Sequence, residues 1–195
     1  MLNISFLDLS ASTGLVATIV LTFNFLLGMM ISTNYKRQTY WKTLPKKIKN
    51  INLFNFHNWT AYFALFLVVL HPTFLLFDAS TKFKFIDIIF PINAPTQKIF
   101  VAFGTLSMLA IFTVLITTQK IVRDKMSFRV WKNIHLISYA TAMLFVVHGI
   151  VMDPLLKNRP VDIFDAEKVV SEVCLIVLIA ASYARYKFHN KTKIV

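Results

Sequence analysis

Residues 57–77 read HNWTAYFALFLVVLHPTFLLF. Apart from His57 and His71 the run holds no acidic or basic side chain, and it has the length of about 20 residues that a helix needs to cross a hydrocarbon core. Ionisable groups inside such a helix are costly and mark functional sites. The run therefore reads as a transmembrane helix with two histidines 14 residues apart.

Working outward, residues 133–153 repeat the pattern: NIHLISYATAMLFVVHGIVMD places His135 and His148 13 residues apart. Three further apolar runs, roughly 12–33, 98–118 and 169–186, carry no histidine. The expected fold class is all-α: an integral membrane helical bundle of about five transmembrane helices, forming one domain over 1–195. The first run lacks a basic n-region and a small-residue cleavage site, and it is too long for a signal peptide, so it is expected to be retained. Composition agrees. Charged residues make up 15% of the chain and hydrophobic ones 56%, with a mean hydropathy of +0.62, against about a quarter charged in an ordinary soluble domain.

The net charge of +12 does not point to nucleic acid, because the cations lie between apolar runs. Lys36, Arg37, Lys42, Lys46, Lys47 and Lys49 fall in the 34–56 loop. Lys120, Arg123, Lys125, Arg129 and Lys132 fall in the 119–132 loop, and Arg185, Lys187, Lys191 and Lys193 close the chain. Only Asp124 opposes them. Lys82, Lys84, Lys98, Lys157, Arg159 and Lys168 share the other side with most of the acids. By the positive-inside rule the N-terminus is expected outside and the C-terminus in the cytoplasm. The 78–97 loop, Phe-rich and interrupted by Lys82 and Lys84, is expected to lie at the outer interface as an amphipathic turn or a cover over the bundle. A plain apolar surface loop is the competing reading.

With one helix between them, the two histidine-bearing helices run in the same direction. His57 and His135 then share the cytoplasmic end, at the openings of their helices. His71 and His148 share a level about 20 Å further out, at 1.5 Å rise per residue. Two imidazole pairs at two depths form a ladder in which each pair can clamp one haem iron from both faces. Cys174 is the only cysteine, so no thioether-attached haem is possible and the haems would be b-type. One geometric tension stands. Fourteen residues return a helix to within about 40° of the same face, whereas 13 leave about 140°, so the second histidine helix must twist, bulge or approach its two sites from different angles. Packing histidines, a zinc or copper site and a proton relay are the other readings. Matched pairs weigh against packing and relay, and the lack of nearby Cys, Asp or Glu weighs against a bare metal. His189, in the basic tail, is read as solvated.

The stretch His57-Asn58-Trp59-Thr60-Ala61-Tyr62 leading to Leu70-His71-Pro72, with Arg129-Val130-Trp131-Lys132-Asn133-Ile134-His135 leading to Val147-His148-Gly149, resembles the ferric reductase-like transmembrane domain family. That family also takes in the NADPH oxidase membrane domain and the haem subunit of methionine sulfoxide reductase. The resemblance covers about residues 50–185. It implies that His57, His71, His135 and His148 are axial ligands of two haem b groups, and that electrons pass from the cytoplasmic side outward. Members often have six helices, and this chain shows five. Many carry a cytoplasmic FAD and NAD(P)H domain; no Gly-rich dinucleotide fingerprint occurs in this sequence, so the expected donor is a separate flavoprotein, free reduced flavin or a membrane quinol. The expected acceptor is ferric iron, dioxygen or a periplasmic reductase outside a bacterial inner membrane.

Arg129 and Lys132, just before His135, are candidates to meet haem carboxylates, with Arg123 and Lys42 behind them and Lys82 and Lys84 on the outer side. Ordinary positive-inside or interface charge is the leading alternative for each of these taken singly. Trp41, Trp59 and Trp131 fall near the cytoplasmic interface as expected anchors. Gly104 and Gly149 are expected to allow close approach of helices or of a haem. Two other functions are weighed beside electron transfer to an outer acceptor: a quinone-linked cytochrome b, and a non-redox membrane scaffold or haem-handling protein.

Overall fold

A computed structural model describes residues 5–33, 35–152 and 166–192. Five helices are long and apolar enough to cross a membrane: α1 (Phe6–Ser32), α2 (Leu53–Phe77), α3 (Lys98–Thr118), α4 (Phe128–Val151) and α5 (Ala166–Thr192), the spanning part of the last being Lys168–Phe188. No strand occurs among the described residues. The chain is an all-α integral membrane protein.

Three helices begin earlier than hydropathy suggests, because polar caps extend them beyond the apolar run. Ser5 and Asp8 form a reciprocal capping box that starts α1 at Phe6. The Asn52 side chain accepts the Asn55 N–H and starts α2 at Leu53. The Ser127 hydroxyl accepts the Val130 N–H and starts α4 at Phe128. His57 and His135 thus lie one and two turns inside their helices rather than at the openings.

α1 packs chiefly against α2, and α3 against α4, while α5 lies along α1 and α4. The central core joins Ala17 and Leu21 of α1, Ala64, Leu67 and Val68 of α2, Met108 of α3 and Phe145 of α4. The outside of the bundle stays apolar, with Phe63, Phe66, Ile116 and Ile176 exposed. That is the reverse of a soluble surface and is what lipid contact requires.

The connection from α1 to α2 folds back on the bundle. Trp41 is only 6% exposed and meets Tyr35 edge-on at 4.5 Å, in a cluster with Leu27 and Leu53. It is a core residue and not an interface anchor. Trp59 is 74% exposed, as an anchor would be. The 78–97 segment forms short helical turns at Phe85–Ile89 and Pro91–Asn93. Phe83, Ile88 and Ala94 turn inward while Phe85, Ile86, Phe90 and Ile92 stay exposed. It is a cover with an amphipathic outer face.

Candidate functional site

The four helical histidines meet in two pairs. His57 of α2 faces His135 of α4 with ring centres 6.4 Å apart and planes crossed at 68°. His71 and His148 face each other at 6.1 Å and 81°. The His57 and His71 levels are separated by about 21 Å along α2, at 1.5 Å per residue. α4 is continuous α-helix throughout, so the 13-residue offset is met by approach from different sides. His148 leans on α3, and His135 stacks along its own helix.

Three of the four imidazoles sit in the same cradle. The Nδ1 of His71 is 2.8 Å from the Ser10 carbonyl, that of His57 is 3.1 Å from the Asn24 carbonyl, and that of His148 is 2.7 Å from the Phe100 carbonyl. A carbonyl oxygen only accepts, so each Nδ1 carries the proton and donates it. Each Nε2 then keeps its lone pair, the state in which a histidine binds a metal. Four residues beyond each carbonyl stands a glycine. A Cβ at Gly14 would meet His71 Nδ1 at 2.8 Å, one at Gly28 would meet His57 Cε1 at 3.3 Å, and one at Gly104 would meet His148 Cε1 at 2.9 Å. The carbonyl orients the ring and the glycine makes room for it. α1 carries the cradle twice, as Ser10/Gly14 and Asn24/Gly28, with the same 14-residue interval that separates His71 from His57 on the antiparallel α2. Gly149 serves helix packing instead, since a Cβ there would press on Ser171 Oγ of α5 at 3.2 Å.

His135 has no cradle. Its Nδ1 is buried without a hydrogen-bond partner. The Trp131 indole stacks on its ring at 5.4 Å and 22°, and the indole Nε1 is also buried without a partner. Trp131 is thus a support of the site as much as an interface residue.

The 6.1–6.4 Å separations test what the pairs can hold. Metal–imidazole bonds of about 2.0–2.1 Å, with the ring centre about 1.2 Å behind the nitrogen, put two rings on one metal about 6.4 Å apart. A direct N–H···N hydrogen bond of about 2.9 Å would bring the centres to about 5.3 Å. At the His71–His148 level a direct bond is also barred chemically, since both Nε2 atoms are acceptors. Among the described residues no group of three or more His, Cys, Asp or Glu could hold a metal ion. A pair of imidazoles, with no further protein ligand, would suit an iron whose remaining ligands come from its own macrocycle. A partly open, mostly apolar cavity surrounds the His71–His148 level. Gly14, Gly104, Phe83 and Ile88 are in its wall, the last two from the 78–97 cover.

Arg129, Lys132, Arg123 and Lys42 are exposed at one end of the bundle, and Lys82 and Lys84 at the other. Lys168 lines the His71–His148 cavity, and Arg185 lies over the Tyr139 ring, one turn from His135. The side chain of His189 lies outside the described residues.

The family model described as "Ferric reductase like transmembrane component" matches residues 13–146. The matched range spans three of the four histidines, His57, His71 and His135, together with Gly14, Gly28 and Gly104, and stops two residues short of His148 and well before α5. No curated protein and no solved structure matches the chain.

Proposed function

The chain belongs to the family of ferric reductase-like transmembrane components, and from that premise we propose that it is a single transmembrane cytochrome b domain with two haem b groups. Membership implies transmembrane electron transfer in general terms. The haem count, the ligands and the direction are our reading.

His57 and His135 would hold one haem, and His71 and His148 the other. The observation that carries this is the His71–His148 pair: both Nδ1 atoms lie against backbone carbonyls, which leaves each Nε2 free to bind a metal, and the ring centres are 6.1 Å apart, a spacing that suits two imidazoles on one metal. Bound there, each haem supplies a one-electron ferric/ferrous couple. The protein's part is to hold imidazole orientation in both oxidation states, so that little reorganises when charge changes. The backbone locks do this at three of the four rings. The Phe- and Leu-rich helices surround both levels, the 78–97 cover adds Phe83 and Ile88 to the wall of the His71–His148 cavity, and such an apolar surround would tune the potential. Positive-inside topology supports a cytoplasmic His57–His135 level and an outer His71–His148 level, in a bacterial inner membrane. Electrons would then pass from a cytoplasmic flavin, flavoprotein or quinol to an extracytoplasmic acceptor: ferric iron, dioxygen or a periplasmic reductase.

The test is a dithionite-reduced minus oxidised spectrum of the detergent-purified protein, with haem counted per chain. Sharp b-type bands at about two haems per chain are expected. One haem per chain would demote one pair, and a protein that stays colourless when haem is supplied overturns the reading. Reduction by flavin against reduction by a quinol analogue then separates the donors.

A further inference from the structure

Lys168 is 5% exposed, yet its side chain borders the cavity that also holds His71 and His148. Arg185 is half-buried within the spanning part of α5. Its guanidinium carbon lies 5.1 Å from the centre of the Tyr139 ring, one turn along α4 from His135. Neither cation has a carboxylate partner: among the described residues the ion pair is Arg123 with Asp124. Asp87, the buried acid of the cover, already accepts the Lys84 backbone N–H. Glu172, one turn from Lys168, makes no ion pair with it.

Lys168 and Arg185 lie near the two ends of the span, where basic side chains ordinarily reach out to water. Both are instead wholly or partly buried with no carboxylate partner among the described residues, which is costly unless they meet an anion. Lys168 and Arg185 are 17 residues apart, about 25 Å along one helix, close to the separation of the two histidine levels. α5 supplies no ligand to either pair, but it presents one cation to each.

We propose that α5 is the carboxylate-anchoring element of the bundle, with Lys168 binding the propionate carboxylates of the haem at the His71–His148 level and Arg185 those of the haem at the His57–His135 level. This rests on the two-haem reading, and it concerns a helix that the family match does not cover. The two cations differ as anchors. Lys168 is a compact ammonium on a flexible stem. Arg185 is a planar fork with its guanidinium carbon over the Tyr139 ring, able to bind a carboxylate through two parallel N–H groups. The unpartnered Trp131 Nε1–H stands ready as a second donor at Arg185's level.

The experiment compares haem b with its dimethyl ester, which keeps iron and ring but lacks the two carboxylate charges. Full-length protein, wild type and variants, is stripped and reloaded with each, and release to an excess of an apo-haemoprotein is followed. The wild type should release the ester about tenfold faster or more, the equivalent of one charge-assisted contact. Lys168→Met should release haem and ester alike from the His71–His148 level, and Arg185→Met from the other, with Lys168→Arg and Arg185→Lys restoring the preference. A His71→Ala background identifies the level by removing one site. Each Met variant should also lower the midpoint potential of its own haem and leave the other unmoved, because a nearby cation favours the reduced iron. A wild type that holds ester and haem equally well overturns the proposal without any variant needing to fold. Met variants with unchanged release and unchanged potentials overturn it too. A wild type that takes up neither compound defeats the two-haem reading instead.

Discussion

The two histidine levels look alike in the sequence and differ in how they are supported. At the His71–His148 level both imidazoles donate to a backbone carbonyl and both rest on a glycine. At the His57–His135 level only His57 does. His135 is held by the face of Trp131 and by the packing of its own helix. Equal spacing along a chain therefore does not mean equal constraint on the ligands. A ring fixed by a backbone carbonyl has one tautomer and one orientation. A ring fixed by stacking can still turn about its own plane, and on the two-haem reading an axial bond to it would be easier to break.

The largest effects should come from filling the space under the rings. Gly14→Leu or Gly104→Leu drives a side chain into an imidazole that already lies 2.8–2.9 Å from a bare Cβ position. Each should remove the haem at the His71–His148 level as completely as His71→Ala, halving haem per chain while leaving the other level spectrally intact. Two haems retained in either leucine variant would show that the ring can leave the glycine without cost, and the cradle would lose its meaning.

Alanine in place of leucine sharpens the comparison. Gly14→Ala and Gly104→Ala put a methyl at 2.8 and 2.9 Å, under the approach that real contacts allow, whereas Gly28→Ala puts one at 3.3 Å from His57. The first two should lower haem occupancy at their own level clearly, and the third only slightly. Haem stoichiometry after one purification protocol checks the order, and an equal loss in all three would break it.

Much of this molecule could be read directly from the residues. The five spans, the facing of His57 with His135 and of His71 with His148, and the family were all legible. Hydropathy and helical rise are properties of one segment at a time, and they need no knowledge of neighbours. The cradles were not read, because they depend on the register of α1 against α2 and of α3 against α4. A signal was present nonetheless: Ser10-x-x-x-Gly14 and Asn24-x-x-x-Gly28 repeat at the interval of His57 and His71. Lys168 and Arg185 escaped for a related reason: they come from a helix that carries none of the four paired histidines, and only its packing brings them near the pairs. Trp41 was misplaced because an aromatic residue beside lysines looks like an anchor until the loop is seen to fold back on Tyr35 and Leu27.

A middle-sized effect should separate the levels by ligand exchange. Trp131→Leu removes the stack under His135, a contact worth about 0.5–1.5 kcal/mol, without touching the other three histidines. The reduced variant should bind carbon monoxide at the His57–His135 haem and not at the other. The wild type should bind little at either. Carbon monoxide binding that appears first at the His71–His148 level would reverse the ranking of the two sites.

The smallest effect concerns how the better-built level keeps its register. Just beyond α2, the Asp78 carboxylate accepts the Leu7 N–H at 3.0 Å and also the Ser80 hydroxyl and N–H. The Ser80 hydroxyl above all, with the N–H groups of Ser80 and Leu7 behind it, holds this carboxyl below the usual carboxylate range. Leu7 lies one turn before Ser10, so the contact fixes the sliding of α1 against α2 that sets the Ser10 carbonyl and Gly14 beside His71. A carboxyl whose pKa is depressed by folding contributes stability that is fully present above its unfolded value of about 3.9 and is lost as pH falls through the folded one. Asp78 is only half-buried, at the end of α2, so solvent screens it, its contribution is small and it should show only in strong acid. On acid titration the spectrum of the His71–His148 haem should shift before that of the other level. Asp78→Ala should abolish that early step and show the shifted spectrum already at neutral pH. Levels that move together in acid, or an early step that survives Asp78→Ala, would mean that the core contacts of α1 with α2 set the register without this pin.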